Sequence, residues 1–248
     1  MQFSIEKILS FNIIKITLNP KKNRYDDHII KIILNQAKQI ASNVNQKSAN
    51  NSNKLRERDS LITDNFIGVL SEYSWKIAIN ALLVHTTVKE CESLDMSDQI
   101  DLKTIKGNYN IEVRASFVRN GIKFALDRSK YPFDIIGPYI NEYKSEEKPK
   151  DFYLRCLYHF NNQNKSDFIY TVNHQGINIY LVGGASLEMI QDENLYVIKT
   201  MKKGSELGYH ANGVATQYKA ISIPKAKDAL SIIKEIYKKT SSSNNLRV

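Results

Sequence analysis

The sequence predicts an α/β fold, a central mixed β-sheet flanked by helices, and three observations carry that prediction. Helical periodicity marks the chain toward both ends, at residues 29–41 and again after Pro224. Between residues 101 and 223 the apolar period falls to two, in short runs separated by turn residues. The composition, 42% hydrophobic and 25% charged over 248 residues with no visible internal repeat, is that of a globular chain able to bury a core. The whole of 1–248 is therefore expected to form one domain.

The elements follow in order. Residues 3–18 carry β-branched runs that read as one or two strands, closed by Asn19-Pro20. Ile29, Ile30, Ile32, Ile33, Ala37, Ile40 and Ala41 then recur at helical spacing, with Asp26 or Asp27 as the expected cap. Residues 45–58 hold almost no apolar side chain and read as an exposed loop, either a solvated linker or a clamp on a polyanion. Residues 64–84 present Phe66, Val69, Leu70, Tyr73, Ile77, Ala81 and Leu82 as one helical stripe, with Asp64 as the expected cap. Trp75 is expected in the core, while Glu72 lies off the stripe, one turn before Lys76.

Strands are expected at 101–106, 109–116, 122–126, 133–139, 152–159, 177–182, 195–200 and 218–223. Pro224 should open the last helix, with Ala226, Ala229, Leu230, Ile232, Ile233 and Ile236 inward and 241–248 as a fraying tail. Gly183-Gly184 follows a strand but belongs to no GxGxxG or GxxxxGK[ST] pattern, so close packing or a turn explains it.

Composition also narrows the chemistry. Thirty-five Lys and Arg against 26 Asp and Glu give a net charge of +9, which favours polyanions, nucleic acid before an anionic membrane surface. Cys91 and Cys156 stand far apart without a CxxC and are expected as reduced thiols; the five histidines are scattered singly, which argues against zinc. No apolar stretch approaches the roughly 20 residues of a membrane span. Glu6, Lys7, Asn12 and Lys15 interrupt any signal-peptide core, so the expected location is cytoplasmic. No GxSxG elbow supports a serine hydrolase.

The chemistry concentrates in residues 101–116. A two-residue turn at Gly107-Asn108 would set Lys106 opposite Tyr109, Lys103 opposite Glu112 and Asp101 opposite Arg114. Asp101, Lys103, Glu112 and Arg114 would then share one face, and Ile111, Val113 and Ala115 the other. Two readings fit. The opposed charges form cross-strand salt bridges, each contributing roughly 0.2–1 kcal/mol. Alternatively, Asp101, Glu112 and the Val113 carbonyl hold Mg²⁺ for phosphodiester hydrolysis, Arg114 is the cation beside the phosphate, and Glu72 binds a second metal or aligns a water. Lys103, Lys123, Lys202 and Lys203 are the expected nucleic-acid contacts. The last two, with Lys199 and Lys219, flank a glycine-bearing segment at 204–213 that either follows a phosphate backbone or is an exposed loop.

The order of Glu72 on a helix, Asp101 on a strand and then Ile111-Glu112-Val113-Arg114 resembles the PD-(D/E)XK nuclease superfamily, specifically its restriction-endonuclease-like proteins. The resemblance covers residues 60–140 and, by general layout, the rest. Asp101 matches the family's first acidic residue, Glu112 its second, Arg114 its basic position and Glu72 the glutamate of the first core helix. It implies a restriction-endonuclease-like fold and a type II restriction endonuclease that hydrolyses double-stranded DNA with Mg²⁺ or Mn²⁺, as a homodimer with a separate cognate methyltransferase. The alternative is a catalytically inactive DNA-binding protein of the same fold. Two departures stand in the sequence: Gln99-Ile100 precede Asp101 where the family has proline, and Arg114 replaces lysine. Arginine keeps its proton, so a lysine base would have to come from Lys76, Lys103 or Lys123.

Overall fold

The computed structural model describes residues 1–43, 57–83, 87–90, 101–127, 133–140, 148–160, 164–200 and 217–242, and its architecture is mixed α/β. The chain opens with β1 (Gln2–Ile8) and β2 (Phe11–Leu18), antiparallel across a turn at Leu9. In α1 (Arg24–Asn43) the first turn is capped by Asn23, whose Oδ1 accepts the Tyr25 N–H at 2.9 Å. Asp26, expected as the cap, is buried and accepts the Asn19 N–H at 2.7 Å instead. Ile32, expected inward, is exposed.

The long helix α2 (Arg58–Leu82) starts before Asp64, which lies inside it and pairs with Lys165 rather than capping. Its second half buries Ser71, Ser74, Trp75, Ala78 and Ile79, not the expected Tyr73, Ile77, Ala81 and Leu82. The reason is its place between α1 and the sheet: two neighbours widen the buried face and turn it away from a single stripe. Trp75 is fully buried, as expected.

Next come β3 (Val88–Glu90), β4 (Leu102–Thr104), β5 (Asn110–Val118), α3 (Gly121–Leu126), β6 (Asp134–Ile140) and β7 (Phe152–His159). The chain continues as α4 (Asp167–Gln175), β8 (Ile177–Ser186), α5 (Leu187–Gln191), β9 (Val197–Thr200), β10 (Gln217–Ser222), a 3₁₀ turn at Ile223–Lys225 and α6 (Ala229–Ser242). Residues 122–126, expected as a strand, are helical because Ile122, Ala125 and Leu126 are the buried set, a helical spacing. Pro224 sits in the 3₁₀ turn; α6 begins beyond it, capped by Asp228, which accepts the Ser231 N–H at 2.8 Å. The sequence reading missed α4. Residues 45–56, 131–132 and 243–248 and Cys91 lie outside the described residues, while Cys156 is a free, buried thiol.

The main sheet has seven strands in the order β1-β2-β8-β7-β5-β4-β3, and β6-β10-β9 form a second sheet. Every neighbouring pair in the main sheet is antiparallel except β5 and β7, which run parallel. One face packs on α1, α2, α4 and α6 around Ile14, Ile30, Phe66, Val113, Leu154, Phe168 and Ile233. The other meets α3, α5 and the small sheet around Ile13, Leu126, Leu157, Val182 and Ile221. Helices thus flank the sheet on both faces, as the sequence predicts, with the small sheet added to the second. Within the first core, Phe168 of α4 stacks edge-on against Phe117, Phe160 and Tyr158 at centroid distances of 4.9, 5.2 and 5.3 Å. Among the described residues no helix is long and apolar enough to cross a membrane.

Gly183 and Gly184 lie inside β8, where the segment leading into α6 crosses closely. Gly184 N–H donates to Lys227 O at 2.9 Å, and a Cβ on Gly183 would stand 2.0 Å from that oxygen on a backbone at φ 132°. Close packing, not phosphate binding, therefore accounts for the pair. Gly183→Ala is expected to lower unfolding stability by roughly 2–4 kcal/mol, read by thermal or urea denaturation.

Candidate active site

The candidate site is built at the open end of the β4–β5 pair. Gly107 and Asn108 do take positive φ, 78° and 55°, as the sequence predicts for a turn. The register, however, is displaced by two residues from the expected one: Leu102 stands opposite Ile111 and Lys103 opposite Asn110. Thr104 causes the displacement. Its N–H donates to Tyr109 O at 2.9 Å and its Oγ1 accepts the Tyr109 N–H at 2.8 Å, which closes the ladder early. Ile105 N–H leaves the hairpin and donates to Thr87 O at 2.9 Å, so residues 105–108 form the loop.

A two-residue displacement preserves the faces and changes the partners. Leu102, Ile111 and Val113 are buried toward the helices, and Asp101, Lys103, Glu112 and Arg114 share the other side, all partly exposed. Continuing the register by one residue sets Asp101 opposite Glu112, where Arg114 was expected. Neither predicted cross-strand pair, Lys103 with Glu112 or Asp101 with Arg114, is therefore directly opposed. Two carboxylates face each other instead.

Asp101 is held by the main chain: its Oδ2 accepts the Val113 N–H at 2.6 Å. In a strand the N–H and C=O of one residue point the same way, so the Val113 carbonyl lies on the Asp101 side of β5. Arg114 Nη2 sits 3.2 Å from Glu112 Oε1, an ion pair along one strand. Glu72, on α2, lies near enough for its charge to act on Asp101 and for that of Glu112 to act on it. Lys76, its neighbour one turn on, is committed to Glu90 of β3 at 2.6 Å. Asn80 fixes β3 against α2, accepting the N–H groups of Thr87 and Val88 at 2.8 and 3.0 Å.

The electrostatics follow from burial and crowding. Desolvation first, then the charges of Glu90 and Glu112, push the Glu72 carboxyl from 4.5 up to about 8. Asp101 is raised well above the carboxylate range by desolvation, then by Glu72 and Glu112, against the lowering effect of the Val113 N–H and Arg114. Burial leads and carboxylate crowding adds to it, a combination that recurs at functional sites. Among the described residues, no three His, Cys, Asp or Glu side chains close around one point at metal-binding distance. The donor chemistry of Glu72, Asp101 and Glu112, hard oxygens only, fits Mg²⁺ or Mn²⁺.

The other predicted residues divide. Lys103 stays on the site face, whereas Lys123 is exposed on α3 rather than on a strand beside the hairpin. Lys202 and Lys203 lie outside the described residues. Lys199 pairs with Asp134 at 2.5 Å, and Lys219 lies 4.0 Å over the Tyr196 ring. A cavity of about 540 Å³ is lined by Thr17, Asn19, His159, Gln175 and Asn178, none of them from the cluster.

The sequence reading missed two charged residues here. Glu90 belongs to a three-residue strand too short to show a period. Arg155 stands beside Arg114 in the parallel β5–β7 register, buried, donating from Nη2 to Ser116 Oγ at 2.6 Å. Burial, then the neighbouring Arg114, lowers it to about 10, offset in part by Asp134. Its signal was a single cation inside the apolar run of residues 152–159.

No protein-family model matches the chain. It is 29% identical over 183 residues to an uncharacterized protein of Methanocaldococcus jannaschii, MJECS01, across 64% of this chain and 64% of that protein's length. No solved structure matches.

Folding raises the Glu72 pKa, so the folded chain takes up a proton between pH 4.5 and about 8 and loses stability as pH rises through that window. Glu72→Gln removes this loss. Without divalent metal the variant should melt roughly 5–10 °C above wild type at pH 8 and close to wild type at pH 4, by differential scanning calorimetry.

Proposed function

We propose that the chain is a restriction-type endonuclease that hydrolyses DNA phosphodiester bonds with Mg²⁺, working through Glu72, Asp101, Glu112 and Arg114. The observation that carries the reading is Asp101, held by the Val113 N–H and acted on by the charges of Glu72 and Glu112, three carboxylates contributed by α2 and the β4–β5 region. A solvated sheet face stabilised by salt bridges would align opposite charges. Further support comes from the order of elements. α2 brings Glu72, β4 follows Asp101, β5 holds Glu112-Val113-Arg114, and β7 lies parallel to β5, which is the helix–hairpin order that the sequence resemblance implies. The net charge of +9 suits a polyanionic substrate, double-stranded DNA in this reading.

In the mechanism, Asp101, Glu112 and Glu72 would hold the cation, with the Val113 carbonyl as a further oxygen; such an ion, when bound, would compensate phosphodiester charge and acidify a water. Arg114, oriented by Glu112, donates to a phosphate oxygen and stabilises the charge that develops there. It takes no proton. Lys103 shares the carboxylate face, with Lys89 of β3 opposite it, whereas Lys76 serves Glu90 and Lys123 is exposed on α3. The Val113 N–H keeps Asp101 turned toward β5.

A second reading, a DNA-binding protein of this fold without catalysis, is favoured by the Glu112–Arg114 ion pair and by arginine in the lysine position. Incubating the purified chain with plasmid DNA and Mg²⁺ separates the two. The nuclease reading expects discrete fragments, abolished by EDTA, and Glu112→Gln should cut more than about a hundredfold slower, beyond what loss of an outer-sphere partner costs. Its DNA binding in EDTA should persist. Uncut plasmid with either Mg²⁺ or Mn²⁺, from a protein that binds the same DNA, would establish the second reading.

A further inference from the structure

Arg155 is 5% exposed, and among the described residues its one hydrogen bond goes from Nη2 to Ser116 Oγ at 2.6 Å. Its Nε is buried with no hydrogen-bond partner. Buried guanidinium groups ordinarily sit on a carboxylate, because an unpaired buried charge costs several kcal/mol. Arg155 has the opposite arrangement. Its direct neighbour in the parallel register is Arg114, and Asp134, the acid whose charge acts on it, is taken by Lys199 at 2.5 Å. Residues opposed in register point to the same face, so the two guanidinium groups lie side by side. Glu112 is on that face too, two residues before Arg114, about 7 Å along the strand.

A core has no use for this pairing. An apolar side chain of the same volume would pack between Tyr153 and Leu157 without desolvating a charge. An unfavourable arrangement that persists inside a packed layer is expected where a ligand relieves it. Two adjacent arginine forks match a tetrahedral dianion or phosphodiester, which accepts from both at once.

We propose that Arg155, together with Arg114, forms a seat for one phosphate group, beside the carboxylate cluster. The assignment of that phosphate to nucleic acid rests on the nuclease reading; the seat itself does not. Arg155 is then a substrate-contacting residue and Ser116 the residue that positions it.

The test uses the full chain, wild type and with Arg155→Met or Arg155→Lys. Inorganic phosphate at low ionic strength should raise the melting temperature of wild type and leave that of Arg155→Met unmoved, while Arg155→Met alone melts at or above wild type. In EDTA, Arg155→Met should bind a fluorescent DNA duplex about tenfold more weakly, with the slope of log affinity against log salt smaller by about one. Arg155→Lys should recover the slope and only part of the affinity, since it keeps the charge but not the fork. A wild-type phosphate response and DNA affinity in Arg155→Met overturns the seat. So does an Arg155→Met that fails to fold alongside an Arg155→Lys that answers phosphate as wild type does, because the guanidinium then serves packing alone; a weakened response in Arg155→Lys supports the seat by itself. If the phosphate response is lost in Arg155→Met and wild type neither binds nor cuts DNA, the seat stands and the nuclease reading falls. If wild type cuts DNA and Arg155→Met binds and cuts it equally, the reverse holds.

Discussion

Strands β5 and β7 run parallel through the middle of the seven-stranded sheet, and Glu112, Arg114 and Arg155 hang from that pair, with Asp101 hydrogen-bonded to it and Glu72 coming from α2. Their helix-facing residues, Ile111, Val113, Leu154 and Cys156, are buried in the main core. Because side chains alternate, that packing leaves Glu112 and Arg114 on the other face, beside Tyr153 and Arg155. A slip by one residue would drive the charges into the helical layer and expose the core set, so hydrophobic packing fixes the electrostatics. β4 is then added through Leu102, opposite Ile111, and Asp101 at its start accepts the Val113 N–H.

What collects at that point is poorly compensated charge of both signs. Lys76 is spent on Glu90 and Arg114 on Glu112, while Glu72 and Asp101 remain crowded by other carboxylates. Beside them Arg114 and Arg155 repel each other. Only Glu112 and Arg114 are paired across the two sets among the described contacts, although a two-residue change of register would bring Asp101 opposite Arg114. Under the proposed reading, this crowding of Glu72 and Asp101 on one side and of Arg114 and Arg155 on the other is what a cation and a phosphate would relieve.

Legibility in the sequence followed periodicity. Alternation along residues 101–116 sorted the site face from the core face, because a two-residue displacement keeps parity. The partners were wrong because the Thr104 hydroxyl, standing in for a main-chain acceptor, closes the ladder early, and strand pattern does not register that. β7 was read with its observed bounds, yet Arg155 within it passed unremarked: one cation in an apolar run has no period, and its meaning comes only from Arg114 across the pair. α3 and α4 bury so few residues that period could not separate helix from strand in one or find the other. The caps at Asp26 and Asp64 failed because both carboxylates serve tertiary contacts, to the Asn19 main chain and to Lys165.

The central claim is that Glu72, Asp101 and Glu112 together await a divalent cation. Isothermal titration of Mn²⁺ into the metal-free full chain near neutral pH, against the same titration of Asp101→Asn, addresses it without any assumption about substrate. Saturable binding in wild type, weakened more than about tenfold in the folded variant, is the predicted result. Equal binding by both proteins, or none by wild type at millimolar Mn²⁺, would contradict it.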